Sequence, residues 1–176
     1  WHLWRCAGQV APAELQKLEP HQRVNKFPKA SALTLKANLY ANFARMQRRF
    51  GIDTYDYMPI TFVLPADLGR FAEHLDALDD AERATAHWIV KPAAAYCGRG
   101  ISVHRASAEL PELLAGAHGV VCRYIDPPLL LDGLKSDIRL YVLVTSWDPL
   151  CLYLHDEGLV RFATEPYNLG ALGPRR

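Results

Sequence analysis

The stretch 135-KSDIRLYVLVTSWDPLCLYLHDEGLVRFATEPY-167 decides how the rest of the chain is read. Successive side chains of a strand alternate between faces, so from Lys135 to Thr145 the residues Ile138, Leu140, Val142 and Val144 fall on one side. Lys135, Asp137 and Arg139 share the other, at steps of about 6.5 Å. The spacing predicts one face that packs and one that carries charge. Ser146, Trp147, Asp148 and Pro149 have turn chemistry, Leu150 to Leu154 forms a second apolar run, and Asp156 to Gly158 reads as a hairpin loop into Leu159 to Ala163. The pattern as a whole predicts a three-stranded antiparallel meander, with Arg161 on a strand neighbouring the charged face. That face is either a solvated ladder of cross-strand ion pairs or a binding surface.

The segments KSDIRLYVLVTSWDPL and LYLHDEGLVRFATEPY resemble the central block of the tubulin tyrosine ligase-like family, with Ser136 standing where an aromatic is usual. The similarity extends through most of the chain. It implies an incomplete ATP-grasp-like α/β (α+β) fold, with an antiparallel sheet and flanking helices.

Composition sets independent bounds. The 176 residues, half of them apolar, suffice for a core, and 20 basic against 19 acidic residues exclude a simple polycation, so no nucleic-acid partner is expected. No apolar run approaches the ~18 residues of a membrane span, and no signal-peptide pattern is visible, so no membrane partner is expected either. Cys6, Cys97, Cys122 and Cys151 are scattered without metal-site spacing. They read as free thiols of a reducing, cytoplasmic compartment. The chain opens on Trp1 and ends after a Gly170–Pro174 segment that closes no recognisable element, which reads as a fragment of a longer protein.

Residues 1–20 are weakly patterned. A helix is predicted over Thr34 to Phe50, with Ser31 or Thr34 as its N-cap and Leu35, Leu39, Phe43, Met46 and Phe50 on one stripe. Arg45, Arg48 and Arg49 lie opposite, either as a solvated face or as a surface for an acidic partner; Lys36 sits at the margin. FARMQRRFG is similar to the family's RMQ-containing helix, and the resemblance sets Lys36 near the substrate pocket. A strand over Ile60 to Leu64 and a helix burying Leu68, Phe71, Leu75 and Leu78 follow, ending in an exposed acidic linker at Asp79, Asp80 and Glu82. We divide the chain into 1–84, the N-terminal portion of the ligase domain, and 85–176, its central portion.

From Trp88 the sequence HWIVKPAAAYCGRGISVHR reads as a strand ending in Lys91, a small-residue loop with Gly98 and Gly100, and a returning strand from Ile101 to Arg105. Such a loop is an ordinary hairpin or a phosphate cradle, since glycines let backbone N–H groups approach an anion and a lysine adds a point charge. It is neither a Walker A loop nor a Rossmann fingerprint. WIVKP and RGI resemble the family's nucleotide loop, which implies contacts from Lys91, Gly98, Gly100 and Ile101. Cys97 replaces a family arginine that Arg99 is placed to substitute. GVVCRYIDPPLLL predicts a strand whose edge at Cys122, Arg123, Tyr124 and Ile125 offers backbone groups to an adenine ring, or else a plain buried strand. The resemblance puts the adenine hinge there, with Cys122 where a glutamine is typical.

Lys135 and Asp137 match the family's K-x-D around Ser136, implying phosphate and ribose contacts. By the same resemblance Arg139 borders the substrate, and Arg161 holds the incoming amino acid's carboxylate, a role suited to a planar fork. The implied activity is an ATP-dependent carboxylate–amine ligation through an acyl phosphate. The cofactors are ATP and Mg²⁺, whose ligands are expected beyond Arg176. The implied partners are tubulin or microtubules, engaged through acidic tails, and glutamate. The location implied is cytoplasmic and cytoskeletal, with the cilium or basal body as a narrower site. RMQRRFG through YMPITFVLP looks more like the glutamate-adding branch than the tyrosine-adding one. Glycine or tyrosine addition, a noncatalytic tubulin-binding relative and a small-metabolite ligase are the alternatives. Without the family's second half, this chain alone is expected to be inactive and to expose the apolar faces of Leu35 to Phe50 and Ile138 to Val144.

Overall fold

The structure, a computed structural model, describes residues 1–8, 10–93 and 99–171. In chain order the first elements are strand β1 (Leu3–Trp4), helix α1 (Pro12–Leu15), β2 (Arg23–Val24), α2 (Ser31–Thr34), α3 (Lys36–Phe50), a 3₁₀ turn (Asp53–Tyr55), β3 (Thr61–Leu64), α4 (Leu68–Asp76) and α5 (Asp80–Thr85). Next come β4 (His87–Pro92), β5 (Ser102–Arg105), α6 (Leu110–Leu113), β6 (Gly119–Arg123), β7 (Leu130–Leu131) and β8 (Leu134–Arg139). β9 (Val142–Trp147), β10 (Leu150–Leu154), β11 (Leu159–Phe162) and a closing 3₁₀ turn complete the series.

The runs TFVL, HWIVKP, SVHR and GVVCR form a four-stranded antiparallel sheet in the order β3–β6–β4–β5. Strand β3, from the first portion of the chain, therefore shares a sheet with strands of the second. Alternation sends Phe62, Leu64, Trp88, Val90 and Val121 to one side, where Phe71 and Leu75 of α4 and Leu110 and Leu114 at α6 close the core. Phe71 and Leu75 are fully buried, and each such side chain stabilises the fold by about 1.5–3 kcal/mol. The helical stripe expected from Leu68 to Leu78 is thus the core-facing side of α4.

Three features of this half depart from the sequence reading. The helix expected over Thr34–Phe50 is broken at Leu35, which is extended at φ −90° and ψ 125° and caps α3, while Ser31 and Thr34 cap nothing. The break persists because Asn38 and Asn42 of α3 donate their side-chain amides to the carbonyls of Ser31 and Ala32, folding α2 back on α3. The acidic linker is instead the start of α5, where the Asp79 carboxylate accepts the Glu82 N–H at 2.7 Å as an N-cap. The strand edge expected at Cys122 is no edge, because Cys122 lies between Thr61 of β3 and Ile89 of β4 and is completely buried. Sheet order is set by contacts distant in sequence, and no local pattern announces it.

On the far side of the sheet α3 lies over β3 and β6, where the Cys122 thiol donates to the Tyr40 hydroxyl at 3.6 Å. Burial, with Cys122 beside it, pushes the Tyr40 phenol up to about 12. Leu39, Phe43 and Met46 are half-buried and Leu35 and Phe50 largely exposed, so the apolar stripe is only partly covered. Arg45, Arg48 and Arg49 are exposed. At the free side of β3 the ladder register turns the backbone of Thr61 and Val63 outward, since the Arg123 N–H donates to Ile60 and bonded pairs alternate. Asp67 closes one of these positions, its carboxylate accepting the Val63 N–H and its own N–H donating to the Val63 carbonyl.

The stretch 135–167 folds as two units, not as a meander. β8 pairs with β7 and with β11, whereas β9 pairs with β10 in a separate hairpin. The expected strand over 135–145 divides at Leu140 and Tyr141, because β9 turns back on itself at Asp148 and Pro149 and leaves β8 open to β11. The predicted apolar face does not pack: Ile138 is 71%, Leu140 56% and Val142 54% exposed. This is the exposure that the resemblance implied for the chain by itself. Cys6, Cys122 and Cys151 are free thiols, and Cys97 lies outside the described residues.

Candidate functional site

Of the loop residues expected at phosphate, Gly98 lies outside the described residues and the others border its ends. Lys91 is the fifth residue of β4, opposite Val120 of β6. Gly119, one residue earlier, is at φ +151°, and a Cβ there would collide with the Lys91 carbonyl oxygen and stand 2.9 Å from Pro92 Cα. The strand end carrying Lys91 is seated on a glycine for that reason. Beyond the gap, Arg99 and Gly100 form an exposed turn and Ile101 leads into β5. Gly100 is at φ +66°, and a Cβ on it would stand 3.0 Å from the Pro92 side chain.

The strand register puts His87, Ile89, Lys91, Val120, Cys122 and Tyr124 on one side of the sheet, opposite the core. Lys91 and Tyr124 lie toward opposite ends of that side, about 13 Å apart along the strand direction. Arg123 points the other way, its guanidinium 5.8 Å from the centroid of the Trp88 ring. The Tyr124 N–H donates to His87 O at 2.8 Å, so the ladder runs through Tyr124. Ile125 is the first residue past it, and its side chain is 66% exposed. The free backbone that was expected from Cys122 onward thus starts only at Ile125.

From β8 the Lys135 ammonium donates to the Tyr124 hydroxyl at 2.7 Å and lies 4.5 Å from its ring centroid. An ammonium has three donors, so two remain for a ligand. Ser136 opposes Phe162 of β11, and Asp137 opposes Arg161. The Arg161 guanidinium grips Asp137 with both Nε and Nη2, at 2.7 and 2.6 Å. Both side chains are more than half exposed. The Arg161 hydrogen bonds, with Arg139 and Lys135 close by, hold the Asp137 carboxyl below the usual carboxylate range. The same pairing raises Arg161. Lys135, Asp137 and Arg139 therefore form one charged group with Arg161 across the ladder. Two of the five Arg161 donors are engaged, and the Nη1 side is left to donate elsewhere. Lys36, the first residue of α3, is half-buried.

The donor set is cationic, with the ammonium groups of Lys91 and Lys135 near opposite ends of one sheet face. It does not fit Mg²⁺. Among the described residues no three His, Cys, Asp or Glu side chains converge, and the carboxylate beside Lys135 has both oxygens on Arg161. A cavity of about 820 Å³ opens elsewhere, between α3, β3 and α4, lined among others by Tyr40, Phe43, Arg48, Met58 and His74. None of the residues proposed for nucleotide or amino acid lines it.

Sequence reasoning missed Tyr167, whose hydroxyl donates to Asp126 Oδ1 at 2.9 Å and whose N–H donates to Gly133 O at 2.9 Å. No periodicity or charge pattern signals such a contact.

The tubulin-tyrosine ligase family matches residues 14–173 of the chain. The chain is 40% identical over 172 residues to tubulin polyglutamylase TTLL5 of Homo sapiens, covering 97% of this chain and 13% of that protein. It is 37% identical over 170 residues to a probable tubulin polyglutamylase TTLL2 of Mus musculus, covering 96% of this chain and 31% of that one. A probable beta-tubulin polyglutamylase of Tetrahymena thermophila is 41% identical over 158 residues, 90% of this chain and 13% of its own length. The chain thus spans between about an eighth and a third of these relatives. Among solved structures, the C-terminal domain of Pby1 from K. lactis, an ATP-grasp enzyme, superposes with a TM-score of 0.59 at 19% identity. That match covers 94% of this chain and 49% of the other, and it identifies the fold as ATP-grasp-like and incomplete.

Proposed function

The chain belongs to the tubulin-tyrosine ligase family, and on that premise we propose that the protein containing it is an ATP-dependent ligase that adds glutamate to tubulin. The observation that carries the reading is the charged array on β4, β8 and β11, in which Lys91, Lys135 and Arg161 each keep donors for an anionic ligand. A carboxylate is a poor electrophile, and ATP supplies the phosphoryl group that activates it toward an amine. Lys91 and Lys135 bind phosphate oxygens and stabilise charge on the group transferred. Ile125 and the backbone after β6 border the adenine, and Asp137 borders the ribose. Arg161 orients the amino-acid carboxylate through Nη1, while Arg139 sits at the margin of that site. Residues 1–84 form the N-terminal portion of the ligase domain and 85–176 its central portion. The exposed Arg45, Arg48 and Arg49 of α3 face the acidic tail of the acceptor. The protein works in the cytoplasm on microtubules, with the cilium or basal body as its narrower location.

The test offers ATP, Mg²⁺, microtubules and one labelled amino acid at a time to the complete protein, with this 176-residue chain run in parallel. The complete protein incorporates glutamate and the short chain incorporates none. Incorporation of glycine or tyrosine in preference to glutamate refutes the substrate assignment, and incorporation by the short chain refutes its dependence on further residues.

A further inference from the structure

Tyr124 adjoins the proposed nucleotide site, and its backbone and side chain do different things there. It is the first residue after β6, its N–H donates to His87 O at 2.8 Å, and it is only 8% exposed. The N–H is spent on the ladder and does not turn to an adenine. The side chain reaches out of the four-stranded sheet instead. Its hydroxyl accepts a hydrogen bond from the Lys135 ammonium at 2.7 Å, and the ammonium lies 4.5 Å from the ring centroid. An ammonium only donates, so the direction of that bond is fixed.

We propose that Tyr124 is a positioning residue whose hydroxyl holds the Lys135 ammonium in place for a nucleotide phosphate. The inference rests on the ligase reading above. Lys135 belongs to the other sheet, as part of β8 between β7 and β11. It opposes Leu130 of β7, and its carbonyl accepts the Ala163 N–H at 2.8 Å from the β11 side. Its backbone is thus held from both flanks. A four-carbon stem separates that backbone from the charge, and such a stem samples many rotamers unless its head is anchored. Tyr124 supplies the anchor from the neighbouring sheet, because its ring is buried and its own N–H is pinned to His87. One ammonium donor rests on the phenol, and the other two are set to meet phosphate oxygens. The ordering that an unanchored lysine undergoes on binding is complete before the ligand arrives, and the difference appears as affinity.

The experiment uses the complete protein, with ATP affinity read by calorimetry, adenosine affinity by competition against ATP, and kinetics for the amino acid. Tyr124→Phe keeps the ring and deletes the hydroxyl, and weakens ATP about fivefold, the worth of one hydrogen bond. Adenosine, which has no phosphate, binds as it does to the parent, and the KM for the amino acid stays within about twofold. Lys135→Met weakens ATP about tenfold or more, as expected for a charged hydrogen bond. Because Tyr124 acts through Lys135, the double variant binds ATP no worse than Lys135→Met alone. Lys135→Arg asks the same question with Tyr124 intact: its forked head does not reproduce the seat of the ammonium, so ATP weakens although the charge is kept. Parental ATP affinity in Tyr124→Phe overturns the inference. Equal losses for ATP and adenosine, or losses that multiply in the double variant, also overturn it, since a merely structural tyrosine produces both. If Tyr124→Phe does not fold, parental affinity in Lys135→Arg overturns the inference. Unchanged affinity in Lys135→Met overturns the assignment of the nucleotide site, and a parent protein that binds no ATP overturns the ligase reading itself.

Discussion

Replacing Gly119 by alanine tests how firmly the backbone under Lys91 is held. At φ +151° a non-glycine residue occupies a region that costs about 1–3 kcal/mol. The added methyl also meets backbone, namely the Lys91 carbonyl oxygen, Pro92 Cα at 2.9 Å and Ala93 N at 3.0 Å. Backbone cannot rotate aside as a side chain does. The end of β4 must move, and the Ala93 N–H to His118 O bond of 3.0 Å goes with it, adding about 0.5–1.5 kcal/mol. The total, about 2–4 kcal/mol, lowers the melting temperature of a chain this size by roughly 5–15 °C. Gly116 is the internal control. It is at φ +82°, and a Cβ added there meets nothing within 4 Å, so Gly116→Ala carries only the backbone term, about 1–2 kcal/mol. Calorimetric melting of both variants, and ATP titration in the complete protein, give the comparison. Gly119→Ala melts lower and binds ATP more weakly, in the direction of Lys91→Met, which loses about 1.5–3 kcal/mol of binding. Equal melting of the two variants, or parental ATP affinity in Gly119→Ala, refutes the reasoning.

Three further outcomes follow from the β8–β11 region. Arg161→Lys keeps the charge but loses the fork, and raises the KM for the amino acid with little change in ATP affinity; an effect confined to ATP moves Arg161 to the nucleotide. Asp137 has a depressed folded-state value, so its stabilising contribution is present above the ordinary carboxylate range and fades as pH falls through the lower folded value. In Arg161→Gln its titration, followed by NMR, returns toward about pH 4, and an unchanged midpoint contradicts the pairing. The 176-residue chain binds ANS, because Ile138, Leu140, Val142, Leu159 and Phe162 are all more than half exposed; failure to enhance the dye's fluorescence contradicts that exposure.

What was legible in the sequence is what repeats locally. The alternation in TFVL and HWIVK, and the spacing of Phe71 and Leu75, led directly to β3, β4 and α4. Lys135, Asp137 and Arg139 lie together because a strand's period is two, whereas Arg161, 24 residues after Asp137, joins them because β11 pairs with β8 past the intervening β9–β10 hairpin. Pairing order was not legible. Cys122 reads as an edge or a core residue equally well until β3 and β4 are seen on either side of it, and the run 135–145 gives no sign that its halves serve different partners. Leu35 breaks a good helical pattern because two asparagines further on claim the carbonyls before it. Tyr167 lies 41 residues after Asp126, and its hydroxyl meets that carboxylate only once the chain is folded. The site residues came from resemblance, and the supports behind them came from tertiary contacts.

Asp67 bears on how this sheet behaves among other chains. A rim strand is a template for intermolecular strand addition, the first step of many fibrous aggregates. On β3 the template is nearly erased, since one residue takes both outward groups of Val63 and leaves Thr61 alone to receive a foreign strand. One residue cannot hold an added strand in register. Growth from this rim is blocked by a carboxylate and an amide of the chain itself, so association of this 176-residue chain is steered toward the apolar faces of β8–β11 and away from this end of its sheet.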